Sequence, residues 1–73
     1  MSESNSIEIR LNGEPARCPE GLSLLQLLEL RGYRPQLVVV EFNGEILPRT
    51  AWADQGVRQA DAVEVVTIVG GGS

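Results

Sequence analysis

The chain has 73 residues, ten acidic and six basic, for a net charge of −4, and every basic side chain is arginine. It has no histidine and one cysteine, which excludes the usual zinc sites, a Ser-His-Asp triad and a disulfide within the chain. An acidic chain with scattered arginines lacks the basic patch that phosphate neutralisation requires, so nucleic acid is not an expected partner, whereas a basic cleft on another protein suits it.

Residues 1–5 are polar and read as a disordered lead, with no apolar segment of a signal peptide behind them. The longest apolar run, Leu37 to Val40, is too short to span a bilayer. A lone Cys18 fits a reducing compartment, so the expected location is the cytoplasm, away from membranes. Ile7 to Leu11 alternates apolar and charged residues and predicts a half-buried strand. Asn12-Gly13 then supplies a two-residue hairpin turn, because a type I′ turn needs positive φ at both central positions. The return strand runs from Glu14 to Cys18, and Pro15 confines it to a sheet edge or a bulge. Cys18 is read as a small core hydrophobe, since no histidine is present to activate a thiol.

After the Glu20-Gly21 loop, Ser23 and Gln26 form a capping box and Leu22 is placed to staple onto Leu27. Leu24, Leu25, Leu27 and Leu28 make one apolar stripe of a helix two to three turns long, ended by Gly32 and kept ended by Pro35. Leu37 to Phe42 is a continuous apolar run, which predicts a strand covered on both faces. Asn43-Gly44 is a second hairpin turn, followed by a short strand Glu45 to Leu47. Arg49 to Asp54 reads as a short helical turn or loop in which Trp52 lids the core, and Gly56 and Asp61 read as turn residues.

The last strand is Ala62 to Val69. Val63 and Val65 share one face of it and Val66 and Ile68 the other. Two arrangements accommodate this: Val66 and Ile68 lie exposed as a partner surface, or a bulge near Val65-Val66 turns all four inward. The strand ends in Gly70-Gly71-Gly72-Ser73. Four extended residues reach at most roughly 13–14 Å, and glycines carry no side chain to block a narrow channel. Such a tail is either a carrier's reactive end or a frayed linker. The order of elements predicts a single domain over residues 1–69 with a tail over 70–73. Its α+β sheet has the first and last strands parallel in the middle and one helix across one face, the β-grasp arrangement.

From Ile7 to Gly72 the chain resembles the thiamine-pathway sulfur carrier family (ThiS), which has the ubiquitin-like β-grasp fold. The likeness lies in Leu11-Asn12-Gly13, the leucine-rich helix from Ser23 to Leu30, Val40 to Arg49 with Trp52, and Val63 to Gly72. The resemblance implies that an E1-like adenylyltransferase activates the terminal glycine with ATP. A cysteine desulfurase relay then replaces the adenylate with sulfur, and thiazole synthase accepts sulfur from the resulting thiocarboxylate. It implies a protein co-substrate and not an enzyme, with no cofactor or metal of its own. The family ends on glycine, and here Ser73 follows Gly72. Ser73 is therefore trimmed, or the site has shifted, or Ser73 is not native. Gly72 is assigned as the thiocarboxylate residue, with Gly70 and Gly71 threading the partner's active site. Alternatives are a molybdopterin synthase small subunit, a non-catalytic β-grasp interaction module and a ubiquitin-like modifier; the last is disfavoured by the absence of lysine.

Overall fold

The computed structural model describes residues 5–68. Its strands are β1 (Ser6–Leu11), β2 (Glu14–Pro19), β3 (Val38–Phe42), β4 (Glu45–Ile46) and β5 (Ala62–Thr67), with one helix, α1 (Leu24–Leu30), between β2 and β3. Short 3-10 turns cover Pro35–Leu37 and Arg49–Asp54. The strands form one sheet in the order β2-β1-β5-β3-β4. The last strand in sequence is thus central, parallel to β1 and antiparallel to β3.

Local chemistry sets the two hairpins. Asn12 and Gly13 take φ of 54° and 83°, and Asn43 and Gly44 take 52° and 89°. These are the positive values a type I′ turn demands and that only Gly and Asn adopt readily. Pro15 falls on β2, the sheet edge, where its missing N–H costs no ladder bond. Asn5, expected in the lead, already accepts a 3.0 Å backbone hydrogen bond from Glu20.

Reciprocal bonds open α1: Gln26 N–H donates to Ser23 Oγ (3.1 Å) and Ser23 N–H to Gln26 Oε1 (2.9 Å). At the other end Tyr33 N–H donates to Leu28 C=O (2.9 Å) and Gly32 N–H to Glu29 C=O (3.1 Å), a Schellman motif with Gly32 at φ 87°. Seven residues are too few to hold a helix alone in water. Burial of Leu24, Leu27 and Leu28 against the sheet supplies the rest. Replacing Ser23 with alanine is expected to cost about 1 kcal/mol, seen as a lower urea midpoint with an unchanged slope.

The core lies between α1 and one face of the sheet. Ile9, Leu11, Cys18, Val38, Val40, Val63 and Val65 come from the strands, and Trp52 and Val57 close the open side. Trp52 is 2% exposed, and its indole N–H donates to Leu47 C=O at 2.9 Å. Leu22 is half-buried against this core, where a staple residue belongs.

Four expectations are corrected. The Leu37 to Phe42 run is not covered on both faces: Val38 and Val40 are buried, but Val39 and Glu41 are exposed, because α1 covers only one side of the sheet. Leu37 belongs to the preceding 3-10 turn, where Pro35 supplies the first position, and is exposed. Gly56 is not a turn residue but pairs with Ser23 in an isolated antiparallel bridge, tying the loop before β5 to the start of α1. The strand predicted as Ala62 to Val69 ends at Thr67, and Val69 lies outside the described residues.

β5 is held by more than its ladders. Val65 N–H donates to Asn12 Oδ1 (2.7 Å), and Ala62 N–H donates to Asn43 Oδ1 (2.8 Å). Both hairpin asparagines thus use the turn backbone for one task and the side chain for another. Asp61 completes the entry to β5, accepting from Asn43 Nδ2 (3.1 Å) and Arg58 N–H (2.8 Å).

Candidate functional site

Side-chain chemistry within the described residues is sparse. Cys18 is 3% exposed, and burial pushes its thiol pKa up, with Arg31 opposing the shift weakly. A protonated, enclosed thiol is a packing element and a poor nucleophile. Among the described residues no group of three or more His, Cys, Asp or Glu side chains is placed to hold a metal ion. Among them, too, no helix is long and apolar enough to cross a membrane.

What the fold does present is the end of β5 and the sheet face beside it. β5 pairs with β3 in unbroken register from Phe42↔Val63 to Val38↔Thr67. Ile68 N–H extends this pairing by donating to Leu37 C=O. Unbroken register leaves no bulge, so the alternation of the pleat persists. Val63 and Val65 face α1, while Val66 (62% exposed) and Ile68 (47%) stand on the uncovered face. The two open readings of this strand are thereby resolved in favour of exposure.

Val66 does not stand alone. Val39 is directly opposite it on β3, and Ile46 on β4 is 68% exposed next to Glu41. Ile46, Pro48, Arg49, Trp52 and Ile68 also border a shallow groove of about 270 Å³ together with Val39. A continuous apolar run predicts burial on both faces and so hides the exposure of Val39, and the short Glu45 to Leu47 segment is too brief to show which face Ile46 takes. The available signal was Glu41, which shares a face with Val39 at a spacing of two and marks that face as open. Gly70, Gly71 and Gly72, the predicted reactive end, lie outside the described residues.

The chain matches the family described as "ThiS family" over residues 9–72. It belongs to the ThiS family. The match runs from the middle of β1 through the other four strands and α1 to the terminal glycines. In structure, the thiamine biosynthesis protein (ThiS) from Geobacter metallireducens superposes with a TM-score of 0.76 at 35% identity, over 90% of this chain and all of that one. That likeness, with the strand order and the single covering helix, makes the fold the ThiS β-grasp. In sequence, the uncharacterized protein ycf40 of Pyropia yezoensis is 42% identical over 99% of this chain and its own full length. The sulfur carrier protein ThiS of Escherichia coli is 27% identical over 90% of this chain and all of that protein. A thiazole synthase of Magnetococcus marinus is 36% identical over 90% of this chain, but the matched part is only 20% of that enzyme. A ThiS-like stretch thus occurs there within one polypeptide called thiazole synthase.

Proposed function

We propose that this chain is a sulfur carrier of thiamine biosynthesis whose reactive atom sits on the C-terminal carboxyl of Gly72. The observation that carries the reading is the family match, which runs through the core strands and on to Gly72. A carboxylate is inert toward sulfur nucleophiles until converted to a mixed anhydride. An E1-like adenylyltransferase performs that step: the carboxylate attacks the α-phosphorus of ATP and pyrophosphate leaves. The outer sulfur of a persulfide, charged by a cysteine desulfurase, attacks the acyl carbon and displaces AMP to leave an acyl disulfide; a second thiol reduces that disulfide, becoming the new disulfide partner, and the freed thiocarboxylate passes its sulfur to thiazole synthase. The thiazole synthase relative supports the thiamine branch over the molybdopterin synthase alternative.

The division of labour follows from what the described residues offer. Residues 5–68 form a packed handle with its thiol buried, so acid, base and metal chemistry belongs to the partners. β5, fixed on one side by β3 and on the other by β1 and Asn12, sets where the tail leaves the body. Gly70 and Gly71 thread the partner's channel, and Val66 and Ile68 rest on its rim. Ser73 is removed before activation. Because the chain has no lysine, no side-chain amine of its own competes for the activated carboxyl.

Intact-mass measurement tests this. The chain ending at Gly72, and in parallel the chain retaining Ser73, is incubated with ATP, its adenylyltransferase, a cysteine desulfurase, cysteine and a thiol reductant. The expected product ends at Gly72 and has one oxygen exchanged for sulfur. Sulfur found on a terminus that retains Ser73 overturns the Gly72 assignment, and no sulfur at all overturns the carrier reading.

A further inference from the structure

The groove bordered by Val39, Ile46, Pro48 and Ile68 is apolar along most of its length. A single charged residue borders it, Arg49, and no carboxylate does. Arg49 is exposed, and one guanidinium N–H donates to Pro35 C=O (3.3 Å). A guanidinium has five N–H donors in one plane, and this is its single hydrogen bond to the described residues. The other donors are therefore open to an anion lying against an apolar surface. Where the tail begins bears on which anion that is. Ile68 is the last described residue and itself borders the groove. Its N–H is fixed to Leu37 C=O, next to Gln36, another bordering residue. The four residues from Val69 to Gly72 reach at most roughly 13–14 Å, and they start and arrive on one groove without crossing the body of the protein. Three of the four are glycine, which takes either sign of φ and can reverse direction without a clash.

We propose that this groove is the resting site of the chain's own end: residues 69–72 turn back past Ile68, and the terminal carboxylate of Gly72 pairs with the Arg49 guanidinium. This rests on the carrier reading for Gly72 as the last residue of the working chain. Tethering supplies what an exposed ion pair lacks. Such a pair is weak between free partners, but a short flexible tether holds the carboxylate at a millimolar effective concentration. The planar fork of the guanidinium then takes both carboxylate oxygens side by side. A thiocarboxylate carries the same single charge, so the loaded end returns to the same place between partners. The contact has to be weak for the tail to remain usable, and an exposed guanidinium meets that need. A partner's anion is the poorer occupant, because it must displace one already tethered within reach.

The chain has no lysine, so a single introduced lysine is its only side-chain amine and reports what lies beside it. Arg49→Lys is made in the chain ending at Gly72 and treated with a water-soluble carbodiimide. The Gly72 carboxylate adds to the reagent, an adjacent amine attacks the acyl carbon, and a urea leaves. The product is an amide one water lighter than the starting chain. Digestion and fragment masses assign the amide to its two residues, which separates it from coupling at Asp, Glu or the α-amino group. Arg34→Lys, at the start of the Pro35–Leu37 turn but outside the groove, and Arg10→Lys, in register with the far end of β5, are the controls. Coupling of Gly72 at position 49 is expected to exceed that at either control by about fivefold. It is expected to fall by a similar factor in about 1 M sodium chloride, where charges are screened beyond roughly 3 Å. With the native arginine in place, the backbone amide signals of Gly71 and Gly72 are expected to move on Arg49→Gln and to stay on Arg34→Gln. Equal coupling at positions 34 and 49 reveals an end that samples its surroundings freely and overturns the resting site. Glycine signals indifferent to Arg49→Gln overturn it as well. Neither measurement uses ATP or a partner, so their failure leaves the carrier reading standing. Coupling at position 49 in a chain that loads no sulfur supports the resting site and overturns the carrier reading.

Discussion

Trp52→Ala is expected to remove about 3–5 kcal/mol of stability, the usual range for emptying a large aromatic site in a core. A domain of this size has roughly 4–11 kcal/mol in total at the ordinary per-residue value, so the loss takes a quarter or more of the margin and should lower the melting temperature by roughly 12–40 °C. The reason lies in where the side chain is. Arg49–Asp54 has no strand or long helix to hold it, and it is fastened by Trp52, 2% exposed, and the bond from its indole N–H to Leu47 C=O. Loss of the ring leaves a void beside α1 and orphans that carbonyl. Trp52→Phe separates the two effects, since it retains much of the apolar volume and deletes the donor; it is expected to lose less than the alanine variant, about 1–3 kcal/mol. Thermal melts followed by far-ultraviolet circular dichroism check both, because the only tryptophan is the residue removed. A Trp52→Ala protein that melts within a few degrees of wild type would show that the turn is held by its backbone and not by its indole.

The parts of the fold legible from sequence were those decided within a few residues. The Asn-Gly pairs, the Ser23–Gln26 box and the Gly32 stop each depend on local sterics or on a side chain three residues away, and each appears in the structure. Pro15 on an edge strand and β5 in the sheet's middle followed from what the remaining elements required. What escaped depends on sheet order and on which face a helix covers. Four apolar residues from Leu37 to Val40 cannot by themselves reveal that Val39 faces water. Nor do Asn12 and Asn43 announce that their side chains reach β5, 53 and 19 residues away in sequence. Gly56 was misread for the same reason: pairing with Ser23 is a tertiary event. At the candidate site, exposure of Val66 and Ile68 was one of two arrangements the sequence allowed, and the uninterrupted β3–β5 register decided between them.

Deleting residues 70–73 is expected to leave a folded protein that accepts no sulfur. The described core and all five strands of the sheet are assembled from residues 5–68, so the melting temperature should be unchanged within error. Affinity for thiazole synthase should fall by less than tenfold if the sheet face supplies most of the contact, while transfer of sulfur to the tail is abolished. This split, binding retained and chemistry lost, separates a carrier from a plain interaction module, which would keep its whole function after the deletion. Gly71→Val, made in the chain ending at Gly72, adds a finer test. It keeps the length, the terminal carboxyl and the charge, and changes only the width of the tail and its backbone freedom, since glycine alone lacks the Cβ that a narrow channel would exclude. Loss of adenylation by at least a hundredfold is expected from such misplacement of a reacting group, read as pyrophosphate release with ATP at saturation. A Gly71→Val chain adenylated at the wild-type rate would show that the tail does not thread a confined channel at that step, and the role given to Gly70 and Gly71 would have to be withdrawn while that of Gly72 stood.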